Sequence, residues 1–190
     1  VDGANFAKIS GRVTNANQEP LAAIQVAVVT TLPEGPPVGR AMSPVFLSQP
    51  AMRPNGARSP ADEFYGSFWT RTDSQCNYHL TTIPAGRYYL YFSDPTGNYV
   101  AEYYNNALYP DSAPVIEIAP RQVISDVNVQ LQTANRIRGV VTLFGQPAVG
   151  GSVSAELKTT TGWRHAMTSF VDPITGQYEL GGLPAGALTT

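Results

Sequence analysis

Few residues in this 190-residue sequence are of the types that carry out catalysis. The two histidines, His79 and His165, stand beside no nucleophile motif and at no metal-ligand spacing. His79 alternates with Tyr78 and Leu80, which predicts a solvent-facing position on a strand, because successive strand side chains point to opposite faces. We therefore predict that the chain is not an enzyme and that it needs no cofactor.

Four aspartates are the remaining candidates for metal binding, since turn carboxylates can offer hard oxygen ligands to Ca²⁺. Turn aspartates also accept hydrogen bonds from nearby backbone N–H groups, and this stabilises the turn without a metal. No segment resembles an EF-hand loop, so we predict no metal site. The four residues are Asp73, Asp94, Asp111 and Asp126.

Aromatic residues are concentrated between positions 88 and 109. Rings on one face of a sheet can form a platform for sugars, but alternation predicts that about half of them lie in a core. The candidate glycan contacts are Tyr99, Tyr103 and Tyr104.

The stretch 69–106 contains the strands that would position most of these residues. Two runs of alternating side chains flank the sequence Ile-Pro-Ala-Gly at 83–86, and period-two alternation predicts half-buried strands. Pro84 fixes φ and Gly86 permits a positive φ, so we predict a tight hairpin turn between the strands. The alternating residues are Tyr78, Leu80 and Thr82 in the first run, and Tyr88, Leu90 and Phe92 in the second.

These motifs resemble the repeat of carboxypeptidase-regulatory-like domains. The resemblance rests on TDSQCNYHL, IPAGRYY and FSDPTGNYVAEYY, preceded by ISGRVTNANQEPLAAIQVAV, and it covers residues 8–133 apart from an insertion. It implies an all-β, prealbumin-like (transthyretin-like or Ig-like) sandwich. The resemblance is to an accessory sandwich and not to a zinc-bearing peptidase domain, so it implies no peptidase activity.

Cys76 stands where the resemblance implies a turn glycine. We therefore predict that it lies near the surface at a hairpin tip. As the only cysteine it excludes an internal disulfide. A free thiol is the first interpretation, and an intermolecular bridge is the alternative.

The pattern restarts after residue 133. The segment Ile137–Thr142 repeats Ile9–Thr14, and Tyr178 with the Leu-Pro-Ala-Gly at 183–186 repeats Tyr78 with 83–86. Such duplication predicts tandem domains, at 1–133 and 134–190. The second copy has no counterpart of residues 91–132, so we predict that it is incomplete: either the chain is part of a longer protein, or a neighbouring subunit supplies the strands.

Residues 32–63 form a proline-rich insertion that only the first copy has, and we predict an extended loop there. An apolar cluster inside it predicts that part of the loop docks on its own sandwich or on a neighbour. Together with a residue near the open end of the second copy, the candidate assembly contacts are Val45, Phe46, Leu47 and Leu188.

Composition narrows the function classes. Charged residues make up 14% of the sequence and the net charge is −2, which offers no electrostatic footprint for nucleic acid. No apolar run has the ~20 residues that a membrane span needs. We expect an extracellular or cell-surface structural module: a stalk, spacer or filament subunit whose partners are neighbouring domains or identical subunits end to end. The alternative is a carbohydrate-binding accessory module of a larger secreted enzyme, with cell-surface polysaccharide as its ligand.

Overall fold

The computed structural model describes residues 5–30, 68–148, 150–159 and 162–185. These residues form β-strands joined by turns, with a 3-10 helix at Pro110–Ser112, and they contain no α-helix. The predicted fold class is therefore confirmed: the protein is all-β, and its described residues form two units in series. No helix in the described ranges is long and apolar enough to cross a membrane.

The chain divides into two compact units. Among the described residues, the first unit contains 5–30, 68–95 and 101–132, and the second contains 96–100 and 133–185. Within the second unit, the Gly182 N–H donates to the Gly97 carbonyl oxygen at 3.0 Å. The sequence did not predict that 96–100 belongs to this unit, because alternation reports local structure and not contacts between distant segments.

The first unit contains two sheets. In the first sheet, β1 (Ala7–Asn15) lies between β4 (Asn77–Ile83) on one side and, on the other, β8 (Val123–Ile124) and β9 (Val129–Leu131). In the second sheet the strand order is β3 (Trp69–Arg71), β2 (Gln25–Thr30), β5 (Gly86–Ser93) and β6 (Glu102–Tyr103), and β5 also pairs with β7 (Ile116–Ile118).

Alternate side chains of both sheets point inward and form the core of the first unit, as the period-two pattern predicted. The rings of Tyr78 in the first sheet and Phe92 in the second meet edge to face, with centroids 5.8 Å apart. Full burial of a Val, Leu, Ile or Phe side chain contributes about 1.5–3 kcal/mol relative to leaving it exposed. The core includes Ile9, Val13, Val26, Val28, Tyr78, Leu80, Leu90 and Phe92.

The predicted hairpin between β4 and β5 is wrong. β4 pairs with β1 in the first sheet, whereas β5 pairs with β2 in the second, so residues 83–86 carry the chain from one sheet to the other. Thr82 has a φ of 61°, and the register between β4 and β1 shifts near this end of the strand. Proline and glycine indicate that the chain turns, but they do not indicate to which sheet it returns.

Residues 123–131 form two short strands and not one continuous strand. Asp126 has a φ of 61°, and the Asn128 N–H donates to the Asp126 carbonyl oxygen at 2.9 Å. This turn separates β8 from β9, and both run parallel to β1.

The second unit contains three strand pairs among its described residues. They are β10 (Asn135–Val140) with β15 (Gln177–Leu183), β11 (Thr142–Leu143) with β12 (Gln146–Pro147), and β13 (Ser152–Thr159) with β14 (Gly162–Phe170). Its most buried apolar side chains are Val171, Leu180 and Leu183.

The pairing of β10 with β15 reproduces that of β1 with β4. The register is the same at every matched position, and the one irregularity falls at the same place, after Ala7 in β1 and after Asn135 in β10. The internal repeat found in the sequence is thus also a repeat of the structure. The matched pairs include Ile9–Leu80 with Ile137–Leu180, and Gly11–Tyr78 with Gly139–Tyr178.

Candidate functional site

One edge of β1 is occupied by the segment 122–131. The N–H and carbonyl groups of β1 that point away from β4 pair with this segment, so the backbone of the edge is satisfied. The bonds run from the Lys8 N–H to the Gln122 carbonyl oxygen at 2.9 Å, from the Val127 N–H to the Ser10 carbonyl oxygen at 3.1 Å, and from the Arg12 N–H to Asn128 Oδ1 at 2.9 Å.

Gly11 and Tyr78 hold this segment at Val127. A Cβ atom on Gly11 would lie 2.0 Å from the Val127 carbonyl oxygen, so only glycine lets the segment approach this closely. The Tyr78 hydroxyl donates to the same oxygen at 2.8 Å. Burial, with a smaller contribution from Tyr104, raises the pKa of Tyr78, and the hydroxyl therefore keeps the proton that it donates.

The second unit carries the same two residues without the segment. Gly139 lies opposite Tyr178, yet within the described ranges β10 pairs with β15 alone. Tyr178 is half-buried where Tyr78 is only 1% exposed. A groove of about 610 Å³ contains Gly139 and Tyr178, and Val140 and Phe170 also line it.

The turns that precede β4 and β15 also correspond. Asp73 Oδ1 accepts the Gln75 and Asn77 N–H groups, each at 2.9 Å. Asp172 Oδ1 accepts the N–H groups of Ile174 and Thr175 at 2.9 and 2.8 Å. These hydrogen bonds hold the pKa of Asp172 below its usual range, and the bond from the Thr175 N–H makes the largest contribution. Both aspartates thus stabilise turns through the backbone.

Cys76 occupies the left-handed position of its turn, with a φ of 65°, where the second copy has Gly176 with a φ of 69°. The predicted surface position is nevertheless wrong, because Cys76 is 0% exposed. Its Sγ accepts a hydrogen bond from Arg12 Nε at 3.3 Å. The turn joins strands of different sheets and folds inward, and burial of this kind leaves the thiol out of reach of another chain.

The three tyrosines proposed as glycan contacts do not form a common platform. Tyr103 is 7% exposed and points its ring toward Tyr89 and Tyr91, at centroid distances of 5.8 and 4.9 Å, so its prediction as a glycan contact is wrong. Tyr104 is half-buried in the first unit, and Tyr99 is half-buried in the second unit. Alternation did not locate Tyr103, because its strand has only two residues.

A different aromatic row crosses the outer face of the second sheet. Ala27 lies opposite Trp69 on one side and opposite Tyr91 on the other, and Tyr91 lies opposite Tyr103. Trp69 is 50% exposed, and the Arg71 guanidinium lies 5.8 Å from its ring centroid. The sequence could not identify this row, because it joins four strands whose order depends on the topology.

Glu102 is a buried acid in the first unit that the sequence analysis did not single out. It lies opposite Phe92, is 1% exposed, and its Oε1 has no hydrogen-bond partner among the residues that the structure describes. Burial raises the pKa of Glu102 to about 7. Burying a carboxylate oxygen without a hydrogen-bond partner is costly, so the folded unit holds the proton more tightly than the unfolded chain does.

The histidine, metal-site and assembly predictions remain. His79 is exposed, as predicted. Within the described part of the chain, no group of three or more His, Cys, Asp or Glu side chains could hold a metal ion. The candidate assembly contacts lie outside the described residues: Val45, Phe46, Leu47 and Leu188.

No family model matches the chain, and no curated protein matches it. Among solved structures, a streptococcal ancillary pilin aligns over 97% of this chain and 52% of its own, at 13% identity and a TM-score of 0.39. The TIE protein of Bacillus anthracis aligns over 93% of this chain and 27% of its own, at 9% identity and a TM-score of 0.39.

Catechol 1,2-dioxygenase from Pseudomonas arvilla C-1 aligns over 71% of this chain and 54% of its own, at 12% identity and a TM-score of 0.38. The chain thus spans about half the length of the streptococcal pilin. The resemblance to carboxypeptidase-regulatory-like domains stays a prediction from the sequence.

Proposed function

We propose that this chain is a non-catalytic structural module of a surface or filament protein, extracellular in location, that acts by joining repeated sandwich units. The observation that supports this most directly is the structural repeat, in which β10 and β15 reproduce β1 and β4 in register and irregularity. Units of one design in series are typical of spacers, since each unit contacts only its neighbours and length grows with number.

The side chains that could do chemistry have structural roles in the described residues. Asp73 and Asp172 stabilise turns, the Tyr78 hydroxyl holds Val127, and Cys76 is buried. These roles support a module whose work is mechanical. Its partners are then neighbouring domains of the same chain or further subunits end to end.

Electron microscopy of the protein in the cells that naturally produce it tests this proposal. We expect immunogold labelling outside the cell, on rods or filaments with a regular repeat. Labelling confined to the cell interior would contradict the location, and isolated compact particles at the surface would contradict the assembly.

One observation favours the alternative, a carbohydrate-binding module. Half-exposed Trp69 and half-buried Tyr91 lie on either side of Ala27, and they give the outer face of the second sheet two aromatic side chains that a sugar could contact. A glycan array separates the two functions. A structural module shows no saturable binding, whereas saturable binding that Trp69→Ala abolishes would support the carbohydrate-binding function.

A further inference from the structure

The edge of β10 in the second unit has the features that hold a strand in the first unit. In β1, the outward-facing backbone groups at Lys8, Ser10 and Arg12 pair with the segment 122–131. The equivalent positions in β10, set by the shared register, are Arg136, Arg138 and Val140. Val140 is 58% exposed.

The same register fixes which backbone groups of β10 point away from β15. The Val13 N–H donates to the Cys76 carbonyl oxygen, and the Val141 N–H donates to the Gly176 carbonyl oxygen at 2.8 Å. In both strands, therefore, the backbone N–H and carbonyl groups of odd-numbered residues point toward the paired strand, β4 or β15. The N–H groups of Arg136 and Val140 and the carbonyl group of Arg138 face the other edge.

We infer that this edge of β10 is an acceptor for an extended strand with the chemistry that the segment 122–131 has in the first unit, bound parallel to β10. The inference rests on the proposed function, and it names the surface at which such a strand joins the module. Strand addition satisfies exposed backbone groups, while pockets for side chains give specificity.

The first unit defines the chemistry of the occupant. At the position of Val127, the occupant places its N–H on the Arg138 carbonyl oxygen and its own carbonyl oxygen over Gly139, where the Tyr178 hydroxyl donates to it. At the position of Asn128, an amide side chain accepts the Val140 N–H, as Asn128 Oδ1 accepts the Arg12 N–H. Branched apolar residues at alternate positions complete the pattern of Val127, Val129 and Leu131.

Charge at the edge is compatible with an uncharged strand. Glu179 pairs with both Arg136 and Arg138 across the two strands, and Arg138 Nε lies 2.8 Å from Glu179 Oε2. The hydrogen bond from Arg138, with that from Arg136, lowers the pKa of Glu179. Two arginines against one glutamate leave a net charge of +1 on this face, with both arginines hydrogen-bonded to Glu179, so we expect recognition to depend chiefly on backbone pairing and the Gly139 contact.

The test uses the whole 190-residue chain and a synthetic peptide with the sequence of residues 122–132, QVISDVNVQLQ. Titration followed by fluorescence anisotropy should give saturable binding. Hydrogen exchange should slow at the amides of Arg136 and Val140 when the peptide is added. A peptide N-methylated at Val127 is the matched control, and it should bind at least about tenfold more weakly, since one backbone hydrogen bond is lost.

Two variants locate the site. Val140→Pro removes an N–H that points away from β15, so β10 should keep its pairing, which proline tolerates at an edge, while the peptide affinity falls at least about tenfold. Tyr178→Phe should weaken binding by about three- to tenfold through loss of the hydroxyl. Phe144→Ser, at a 96% exposed turn residue, is the control and should leave the affinity unchanged.

Three outcomes would overturn the inference. The first is the absence of saturable binding up to roughly 1 mM peptide, the limit of weak recognition. The second is an equal affinity of the peptide for the Val140→Pro chain. The third is slow exchange at Arg136 and Val140 before peptide is added, which would mean that residues of the same chain cover the edge. None of these results bears on cell location or on glycan binding, so the inference and the proposed function can fail separately.

Discussion

The two units share one strand pairing but differ in what covers it. In the first unit Ile9 and Tyr78 are buried, at 1% exposure each, whereas Ile137 and Tyr178 at the matched positions are half-buried. Most of the exposed large apolar side chains among the described residues lie in the second unit: Val140, Leu143, Phe144, Trp163, Phe170 and Ile174. The comparison teaches that the same strand pairing forms in both units, and that β5, β8 and β9 help to bury it in the first.

Gly11→Ala and Gly139→Ala give the sharpest contrast in stability. The new Cβ at Gly11 would lie 2.0 Å from a backbone oxygen of the packed segment, which must move, so we expect a loss of about 3 kcal/mol or more in the first unit. At Gly139 the three nearest atoms all belong to the Tyr178 side chain, at 2.7 to 2.9 Å, and this half-buried ring can move where the backbone at Val127 cannot. We expect a loss of less than about 1 kcal/mol there.

Urea denaturation measures both effects. With Trp163→Phe as background, Trp69 fluorescence follows the first unit, and with Trp69→Phe, Trp163 follows the second. Equal losses for the two glycine variants would contradict the difference in covering that we describe.

Glu102 should make the two units respond to pH in opposite directions. Its pKa is raised from 4.5 to about 7 in the fold, so the folded unit holds a proton that the unfolded chain has released between these values. The stabilising contribution is complete below pH 4.5 and is lost as the pH rises to about 7, a change of about 3 kcal/mol. Glu102→Gln should remove this dependence.

In the second unit, Asp172 and Glu179 have lowered pKa values, so their contribution is present above the unfolded pKa and is lost as the pH falls through the folded one. Urea midpoints between about pH 2 and pH 8 for both tryptophan backgrounds measure the two trends, since the loss in the second unit falls below the unfolded pKa values of about 4. A first unit that is equally stable at pH 5 and pH 8 would show that Glu102 is not held uncharged by burial.

Tyr78→Phe and Tyr178→Phe separate the contribution of the hydroxyl group to stability from that of the ring. The Tyr78 hydroxyl makes a buried hydrogen bond to Val127, and removing it leaves that carbonyl oxygen without this donor. We expect a loss of about 1–3 kcal/mol for Tyr78→Phe. For Tyr178→Phe we expect a change within about 0.5 kcal/mol, as for a surface substitution. The same denaturation experiment decides, and a reversed order would break the comparison.

Cys76 and Gly176 give the smallest expected difference. Cys76→Gly relieves a left-handed backbone but removes a buried side chain, and the two terms nearly cancel, so we expect a net change within about 1 kcal/mol. The native thiol should resist a water-soluble thiol reagent and should react fully after unfolding in urea. Rapid reaction of the native protein would show that the turn opens far more readily than its burial implies.

Sequence reasoning predicted the elements that depend on local pattern. Strands with inward residues such as Tyr78, Leu90 and Phe92 were found, and so was the sequence repeat that matches Tyr178 with Tyr78. The turn aspartate Asp73 was also identified. Each of these is encoded by period-two alternation or by turn chemistry within a few residues.

The features that were missed depend on which segments meet. The 83–86 connection crosses between sheets, Cys76 folds inward, and the segment 96–100 belongs to the second unit. Glu102 and the row from Trp69 to Tyr103 were likewise invisible, because burial and strand order are properties of the assembled sheets. Alternation gives the face of a residue, but tertiary pairing decides what that face meets.

The most direct test of the central comparison is the exchange rate of four amides in the free chain. Lys8 and Arg12 on the outer edge of β1 donate to the segment 122–131, whereas Arg136 and Val140 are their counterparts on β10. Native-state hydrogen exchange should show the β1 amides exchanging at least about tenfold more slowly than the β10 amides, after correction for intrinsic rates. Equal protection at the two edges would mean that the second unit is as closed as the first, and it would contradict the account.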